Sequence, residues 1–280
     1  MIYVREDLMP LFAEDSVAEF MKIEGETVKH VVEDRHTFRF ERKGQLYYMK
    51  THFGVGWKEI LKNLLILKAP VLGAKNEWQA IHAFERLGVP TMRIAAYGET
   101  GCNPARRQSF LITDALDQTE DLEQWLPTLD LTQPGNVRLK RAIINKLGQI
   151  ARTLHQSGIN HRDFYLCHFR IDLSEGKPTP DSVRLYVMDL HRVQQRQKIP
   201  ERWAVKDVGA LIYSAFNVSG KPLFSRTDVA RFIQSYEAAR LKTVYSTRTR
   251  FWNRVIQRIN KLSNRKQYNR SELPDWLGNY

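Results

Sequence analysis

The stretch Asn160–Asp172, NHRDFYLCHFRID, holds the residues of this sequence that are most clearly suited to catalysis. Asp163 follows a histidine and an arginine, the order of the catalytic loop in phosphoryl-transfer enzymes, where the aspartate accepts the proton of the attacking hydroxyl. A second aspartate, Asp189, follows the apolar run YVM farther along the chain. An aspartate in that place holds the metal ion that bridges the phosphates of a nucleotide. Because a single triplet arises easily by chance, the surrounding residues decide the prediction.

A lysine and a glutamate in the first half of the chain complete this set. Lys50 ends the strand-like run YYMK, and the corresponding strand of a protein kinase carries the lysine that contacts the α- and β-phosphates. Glu77 shares a helical face with Ile81 and Phe84, and a carboxylate among apolar side chains needs a cationic partner. We therefore predict that Glu77 pairs with Lys50. Alternatively, Lys50 is simply solvated, or Glu77 is an acid of the first helical turn that the helix dipole stabilises. Glu59 is a weaker candidate for the partner of Lys50.

The first half of the chain shows strand patterns interrupted by two helical ones. Alternating apolar and polar residues predict five strands. They are Glu26–Val32, Thr37–Arg42, Gln45–His52, Thr91–Glu99 and Ser109–Leu116. Helical spacing predicts two helices, Gly56–Lys68 and Lys75–Gly88. We expect one five-stranded antiparallel sheet with the Lys75–Gly88 helix packed on it.

The second half of the chain is mainly helical. The segment Arg138–Gly158 predicts a long helix with a continuous apolar stripe, and Gly158 ends it directly before the catalytic-loop candidate. Asp207 opens a further apolar helix, and we interpret it as a support for the catalytic-loop backbone or, alternatively, as an ordinary N-terminal helix acid. The predicted class is α+β and bilobal, with a β-rich lobe at residues 1–113, a hinge at 114–118 and a helical lobe at 119–280.

Composition and charge exclude several classes of protein. The 280 residues carry a net charge of +12, which predicts an anionic partner. No stretch approaches the roughly 18 apolar residues of a membrane span, and the acidic N-terminal segment disfavours a signal peptide. The two cysteines, Cys102 and Cys167, give no disulfide framework, so a reducing cytosol is the simplest compartment.

Several runs together resemble a known family. The runs RHTFRFERKGQLYYMKTH, SFLITDAL, GINHRDFYLCHF and VMDLHR lie between Arg35 and Phe216. They resemble the lipopolysaccharide core heptose kinases, which are relatives of the eukaryotic-type protein kinases. The resemblance implies an enzyme that uses ATP and Mg²⁺ to phosphorylate heptose I of the inner core. It also implies work at the cytoplasmic face of the Gram-negative inner membrane, on lipid A–core as the substrate.

The same resemblance implies roles for individual residues. Carried over by motif, Asp163 is the base, Asp189 the metal ligand and Lys50 the phosphate contact. We further group Arg162 and His168 with Asp163 as catalytic candidates, and His168 with Asp189 as candidate metal ligands. Arg35, Glu77 and Asp114 are grouped with Lys50 and Asp189 as nucleotide-binding residues.

The sequence departs from the general kinase pattern at three places. The loop EDRHT has no glycine, so Arg35 and its neighbours contact the phosphates through side chains or lie farther away. His168 replaces the usual asparagine, and imidazole is a poor Mg²⁺ ligand. It is therefore expected to contact a phosphate, or to belong to a site that holds only one metal tightly. His191 replaces the glycine after the metal-binding aspartate, and the segment from there to Asp207 is too short for a long activation loop.

The last part of the sequence contains a segment whose charged side chains are all positive. Ten Lys or Arg residues and no Asp or Glu lie between Ala238 and Ser271. One helical face carries Phe251, Val255, Ile259 and Leu262, and a basic line of Arg250, Arg254, Arg258, Lys261 and Arg265 runs beside it. This pattern predicts a helix on an anionic membrane surface or, alternatively, a helix that packs on the core with solvated charges. The Gly56–Lys68 helix, with Trp57 between basic residues, is a second membrane candidate, and simple packing is its alternative.

Three functions remain open at the level of the sequence. The sugar kinase fits best. A protein kinase, acting on tyrosine for example, is disfavoured because the short segment after Asp189 offers little platform for a peptide. A non-catalytic module that binds anionic lipid or an acidic protein is disfavoured by the retained Lys50, Asp163 and Asp189. An acidic protein partner of the enzyme stays open, and no nucleic-acid-reading motif is present.

Overall fold

The computed structural model describes most of the chain in two compact units. The described residues are 1–12, 14–32, 35–65, 73–218 and 223–264. The first unit comprises residues 1–85, 91–117 and 190–192, and the second comprises 86–90, 118–189 and 193–280. The lobe and hinge boundaries that we read from the sequence stay a prediction.

The first unit is built on an antiparallel sheet with helices beside it. Its elements in chain order are β1 (Ile2–Val4), α1 (Val17–Phe20), β2 (Glu26–Val32), β3 (Arg35–Arg42), β4 (Gln45–His52), α2 (Gly56–Leu65), α3 (Lys75–Arg86), β5 (Ile94–Thr100) and β6 (Gln108–Asp114). The strand order is β1-β5-β6-β4-β3-β2, and every neighbouring pair is antiparallel. All five predicted strands and both predicted helices occur, although residues 66–68 of the first helix lie outside the described part.

The expectation of a five-stranded sheet is wrong by one strand. Ile2–Val4 adds a sixth strand, in register with Gly98, Tyr97 and Ala96 of β5. Three residues are too few to show the alternation by which strands are recognised in a sequence. Only the exposed edge of β5 makes this segment a strand.

The core of the first unit lies against one face of the sheet. Tyr47 and Met49 alternate inward from β4 and are fully buried, together with Phe20 of α1 and Phe110 of β6. The rings of Phe20 and Phe110 stack with their centroids 4.4 Å apart. This packing fixes the register of β4 and therefore the face from which Lys50 projects.

The second unit is mainly helical with two small sheets. Its elements are β7 (Thr119–Asp121), α4 (Leu122–Trp125), α5 (Pro134–Gln156), β8 (Ile159–Asn160), β9 (Phe169–Asp172), β10 (Leu185–Val187), β11 (Gln194–Gln195), α6 (Glu201–Phe216), α7 (Arg226–Glu237), α8 (Leu241–Thr247) and α9 (Thr249–Ser263). The strands pair as β10-β9-β7 and as β11-β8. The stripe of α5 is buried as predicted and holds the helix in the core.

Gly158 ends the turn after α5 for a geometric reason. Its φ is 76°, and a Cβ at this position would lie 1.8 Å from the carbonyl oxygen of Arg196. Only glycine fits this close approach of two backbones. The segment that follows, which begins with β8, is thereby fixed to β11 before the catalytic-loop candidate starts.

Helix α9 of the basic tail forms part of the core of the second unit. The apolar line of α9 is buried against α6, which bears out the packing alternative for that line. Arg254 pairs with Glu201 at 2.7 Å, and the side chain of Arg258 packs over Gly209. Arg265 and the rest of the tail lie outside the described residues. Within the described part of the chain, no helix is both long and apolar enough to cross a bilayer.

Candidate active site

Lys50 and Glu77 form an ion pair inside the first unit. Lys50 Nζ lies 2.6 Å from Glu77 Oε1, and the Glu77 side chain is only 2% exposed. Glu77 belongs to the buried face of α3, together with Ile81 and Phe84. A carboxylate in such a place needs a cationic partner. The structure confirms the predicted pair and fixes the ammonium group of Lys50.

An uncharged histidine and an arginine lie close to Lys50. Buried His52 stands two residues farther along β4, and burial together with the charges of Arg35 and Lys50 lowers its pKa to about 3. Arg35 is half-buried, and its Nε makes no hydrogen bond to the described residues. A buried donor without a protein partner, beside a second cation, suits an anionic ligand such as a phosphate.

Asp114 has a structural partner. Its Oδ2 accepts a hydrogen bond from Arg5 Nη1 at 2.7 Å, so this carboxylate fastens the residue after β1 to the end of β6. Its Oδ1 is buried and has no hydrogen-bond partner among the described residues. The nucleotide contact assigned to Asp114 from the sequence stays a prediction.

Asp207 holds the backbone of the HRD loop in the second unit. Its two carboxylate oxygens accept hydrogen bonds from the backbone N–H groups of His161 at 2.7 Å and of Arg162 at 3.0 Å. Arg162 has a φ of 75°, which is unfavourable for a residue with a side chain. Asp207 is buried. The structure confirms its predicted role as the support of this loop.

A histidine and a tyrosine stand behind Asp207. His155 Nε2 lies 3.6 Å from Asp207 Oδ2, and His155 Nδ1 lies 2.8 Å from the hydroxyl of Tyr236. Burial raises the pKa of Tyr236. One ring nitrogen of His155 thus faces the tyrosine hydroxyl, and the other faces the carboxylate of Asp207.

The two histidines of the loop make different contacts. His161 is buried, which lowers its pKa, and its Nε2–H donates to the carbonyl of Met188 at 2.9 Å. His168 Nδ1–H donates to the carbonyl of Asp163 at 2.6 Å. His168 Nε2 lies 3.7 Å from Asp189 Oδ2. His161 thus connects the loop to the residue before Asp189, and His168 connects Asp163 to Asp189.

The remaining assigned residues lie in the same part of the second unit. Asp163 and Asp189 are both half-buried, and Asp189 adopts a φ of 59°, again in the left-handed region. The guanidinium group of Arg162 lies 5.7 Å from the centroid of the Trp203 ring. The second unit therefore brings Asp163, His168 and Asp189 together.

A comparison with known protein families assigns the chain to one of them. Residues 18–236 match the lipopolysaccharide kinase (Kdo/WaaP) family. The chain belongs to this family. The resemblance found in the sequence motifs is therefore confirmed.

Named members of the Kdo/WaaP family match the chain over nearly its whole length. A protein of Escherichia coli (strain K12), named lipopolysaccharide core heptose(I) kinase WaaP, is 38% identical and covers 95% of this chain and 98% of its own. A Pseudomonas aeruginosa protein of the same name is 41% identical, covering 84% of this chain and 86% of its own. The similarity thus extends beyond the HRD loop to both units.

A solved structure shows that the Kdo/WaaP family shares this fold. The structure titled "WaaP in complex with acyl carrier protein" superposes with a TM-score of 0.76 at 32% identity, and covers 94% of this chain and 99% of that one. The α+β class, with an antiparallel sheet in the first unit and a mainly helical second unit, is confirmed. The chain is a phosphotransferase of the kinase-like fold.

Sequence reasoning missed the residues that support the site from behind. His155 and Tyr236 come from different helices, and no spacing in the sequence connects them. His155 alone gave a usable signal, because it is a polar residue that follows the apolar stripe of α5 directly. Arg5, which contacts Asp114, and Trp203, which contacts Arg162, gave no signal in the sequence.

Replacing Asp207 with asparagine is expected to lower the turnover number about 10- to 100-fold with little change in nucleotide affinity. An amide offers one acceptor oxygen where the loop presents two N–H donors, so one donor is left facing an NH₂ group. Arg162 then loses a bond that holds its unfavourable φ, and a displaced Asp163 reacts more slowly. Steady-state kinetics and nucleotide titration measure the two quantities.

Asp228→Asn is the matched control for Asp207→Asn. Asp228 is equally buried in the second unit but pairs with Lys140 at 2.8 Å, away from the loop. Both variants lose thermal stability, and only Asp207→Asn loses turnover at temperatures where both are folded. Equal turnover numbers in the two variants would show that Asp207 has no role beyond stability.

His168→Asn is expected to lower activity by about tenfold. Histidine donates to the Asp163 carbonyl through one nitrogen and faces Asp189 with the other, and the shorter amide cannot span both positions. His82→Asn on α3 is the control, because His82 contacts Glu85 and lies far from this loop in the sequence. Activity equal to wild type in His168→Asn would show that the position acts as an ordinary metal-ligand site.

Proposed function

We propose that this chain transfers the γ-phosphate of ATP to a hydroxyl of heptose I in the inner core of lipopolysaccharide. One observation carries the proposal. Relatives named for that activity match nearly the whole chain at 38–41% identity. The ion pair of Lys50 and the supported HRD loop supply the groups that the reaction needs.

Lys50 is the proposed contact to the nucleotide phosphates. Glu77 holds its ammonium group at 2.6 Å, and this fixed position avoids the entropy that a free lysine side chain would lose on binding. Arg35, whose Nε lacks a protein partner among the described residues, adds a second cation. Phosphoryl transfer depends mainly on such positioned charges, because the protein does little covalent chemistry in it.

Asp163 is the proposed general base. Its carboxylate orients the heptose hydroxyl and accepts the proton as the oxygen bonds to the γ-phosphorus and the bond to the β-phosphate oxygen breaks. The hydrogen bonds from His161 and Arg162 to Asp207 set the backbone from which Asp163 projects. His168 holds the carbonyl of Asp163 and is assigned to positioning.

Asp189 is the proposed ligand of Mg²⁺. In the described part of the chain, no three His, Cys, Asp or Glu side chains cluster as a metal site. Mg²⁺ is usually held by one or two carboxylates together with phosphates and water, so Asp189 fits an ion shared with the nucleotide. When bound, the ion neutralises charge on the phosphates. His168 offers a nitrogen, which Mg²⁺ accepts poorly.

The partners and the location follow from the acceptor. Lipid A–core is anchored in a membrane, and ATP is a cytosolic donor. We therefore place the protein at the cytoplasmic face of the Gram-negative inner membrane, held peripherally at its anionic surface. The net charge of +12 supports this placement. It also supports an acidic protein partner, and the similar solved structure is titled as a complex with acyl carrier protein.

A direct assay tests the proposed function. The protein is incubated with labelled ATP, Mg²⁺ and dephosphorylated core lipopolysaccharide, and mass spectrometry then locates the label. The expected product carries one phosphate on heptose I, and Asp163→Asn forms it about 10²- to 10⁴-fold more slowly. A phosphate on a Kdo residue, on lipid A or on protein would show a different acceptor, and protein phosphorylation would favour the protein kinase instead.

A further inference from the structure

Helix α2 presents an apolar stripe to solvent. Trp57, Leu61 and Leu65 are 54%, 55% and 85% exposed, and their spacing of four residues places them on one face of the helix. Ile60 of the same helix is buried. The helix therefore combines a buried apolar side chain with an apolar stripe that is more than half exposed.

This exposure is concentrated rather than scattered. In the described residues, nine large apolar side chains are exposed, and four of them fall between Phe53 and Leu65. Single exposed apolar side chains are common on protein surfaces, but a contiguous group marks an interaction surface. The tail helix α9 provides the contrast, because its apolar line from Phe251 to Leu262 is almost completely buried.

The charge beside the stripe indicates what it contacts. Lys58 and Lys62 are exposed, and the helical repeat places both along one border of the stripe. Indole and aliphatic side chains bordered by lysines are the composition of helices that lie in the plane of an anionic membrane. In such helices the long lysine stems keep the ammonium groups at the headgroups while the apolar side chains enter the acyl region.

We infer that α2 is the element that inserts into the anionic phospholipid bilayer carrying the acceptor. The inference rests on the proposed function, which requires a protein without a described spanning helix to reach a lipid-anchored sugar. It assigns the membrane contact to α2 of the first unit, and not to the tail helix. The stripe supplies burial in the acyl region, and the two lysines select anionic lipid.

Vesicle binding of a stripe variant tests this assignment. The double variant Trp57→Gln, Leu61→Gln removes two exposed apolar side chains and leaves buried Ile60 in place. Each large apolar side chain withdrawn from water changes a partition coefficient by about tenfold or more. Binding to vesicles of phosphatidylcholine and phosphatidylglycerol is therefore expected to fall by about 100-fold. Wild-type binding by the double variant would overturn the inference.

Two further pairs of substitutions serve as matched controls. Met9→Gln, Val28→Gln changes two apolar residues of the first unit that are as exposed as Trp57, and it is expected to bind as wild type. Lys58→Gln, Lys62→Gln is expected to lose binding on anionic vesicles by about fivefold per lysine at low salt. A larger loss from Arg250→Gln, Lys261→Gln would place the membrane contact on α9 and overturn the inference.

The depth at which Trp57 enters the lipid distinguishes binding to a bilayer from binding to a protein partner. Trp57→Phe keeps the stripe apolar and removes the one indole of α2. Lipids brominated in the acyl chains are expected to quench more fluorescence in wild type than in Trp57→Phe, although both bind. Equal quenching would overturn the inference, as would a concentration-dependent dimer of wild type that the stripe variant cannot form.

The acceptor distinguishes failure of this inference from failure of the proposed function. The stripe variant is expected to phosphorylate soluble, deacylated core at the wild-type rate and membrane-embedded lipopolysaccharide at least tenfold more slowly. Equal rates on both acceptors would overturn the role of α2 and leave the kinase activity established. No transfer to either acceptor by the wild type would refute the proposed function, whatever the vesicles show.

Discussion

Asp163→Asn is expected to lower the turnover number by about 10²- to 10⁴-fold, the usual contribution of a general base. The amide keeps the size of the side chain and cannot accept a proton. The carbonyl of residue 163 still accepts from His168, and Asp207 still holds the loop, so the fold and the nucleotide affinity are retained. Rapid-quench kinetics on a dephosphorylated core acceptor measures the transfer step directly.

The control for Asp163→Asn is Asp181→Asn, which changes an exposed aspartate of the same unit. It is expected to match wild type in turnover and in thermal stability. Transfer by Asp163→Asn at a rate near that of wild type would assign the base to another residue.

Lys50→Met is expected to lower transfer efficiency by about 10²- to 10³-fold, the range for loss of one positioned group that stabilises charge. It also destabilises the protein by about 3 kcal/mol, because it leaves Glu77 buried without a partner. The side chain of Glu77 is 2% exposed, so water cannot replace the ammonium group. Kinetics and chemical denaturation measure the two effects separately.

A second substitution separates the two roles of Lys50. Lys50→Met, Glu77→Gln removes the orphaned charge, so the stability is expected to return to within about 1 kcal/mol of wild type. The activity stays low because the phosphates still lack their cation. Recovery of activity together with stability would show that Lys50 only supports the packing of α3 on the sheet.

The sequence determined those parts of the site in which short-range pattern and chemistry coincide. Lys50 was found because β4 alternates regularly, and Glu77 because an acid on an apolar helical face requires a cation. Asp163 was found because its motif follows the end of a long helix. For Lys50 and Glu77 the local pattern alone fixes which way the side chain points, since the periods of strand and helix set the face.

The prediction of a membrane-binding helix shows what an amphipathic sequence pattern cannot determine. The tail helix has an apolar line and a basic line, as an interfacial helix does, and α2 has a similar composition. Amphipathicity states that one face avoids water and does not state whether protein or lipid covers that face. Packing decided this for α9, because α6 buries its apolar line, while the stripe of α2 stays more than half exposed.

The tertiary structure alone decided the contacts between residues distant in the chain. Tyr236 reaches His155 across 81 positions, and Arg5 reaches Asp114 across 109. Ile2–Val4 became a strand only because β5 offered an unpaired edge. The sequence determined the elements and the candidate site residues, because both depend on neighbours within a few residues. The groups behind Asp207 and the exposure of α2 depend on which surfaces meet when the chain packs, and no local pattern encodes that.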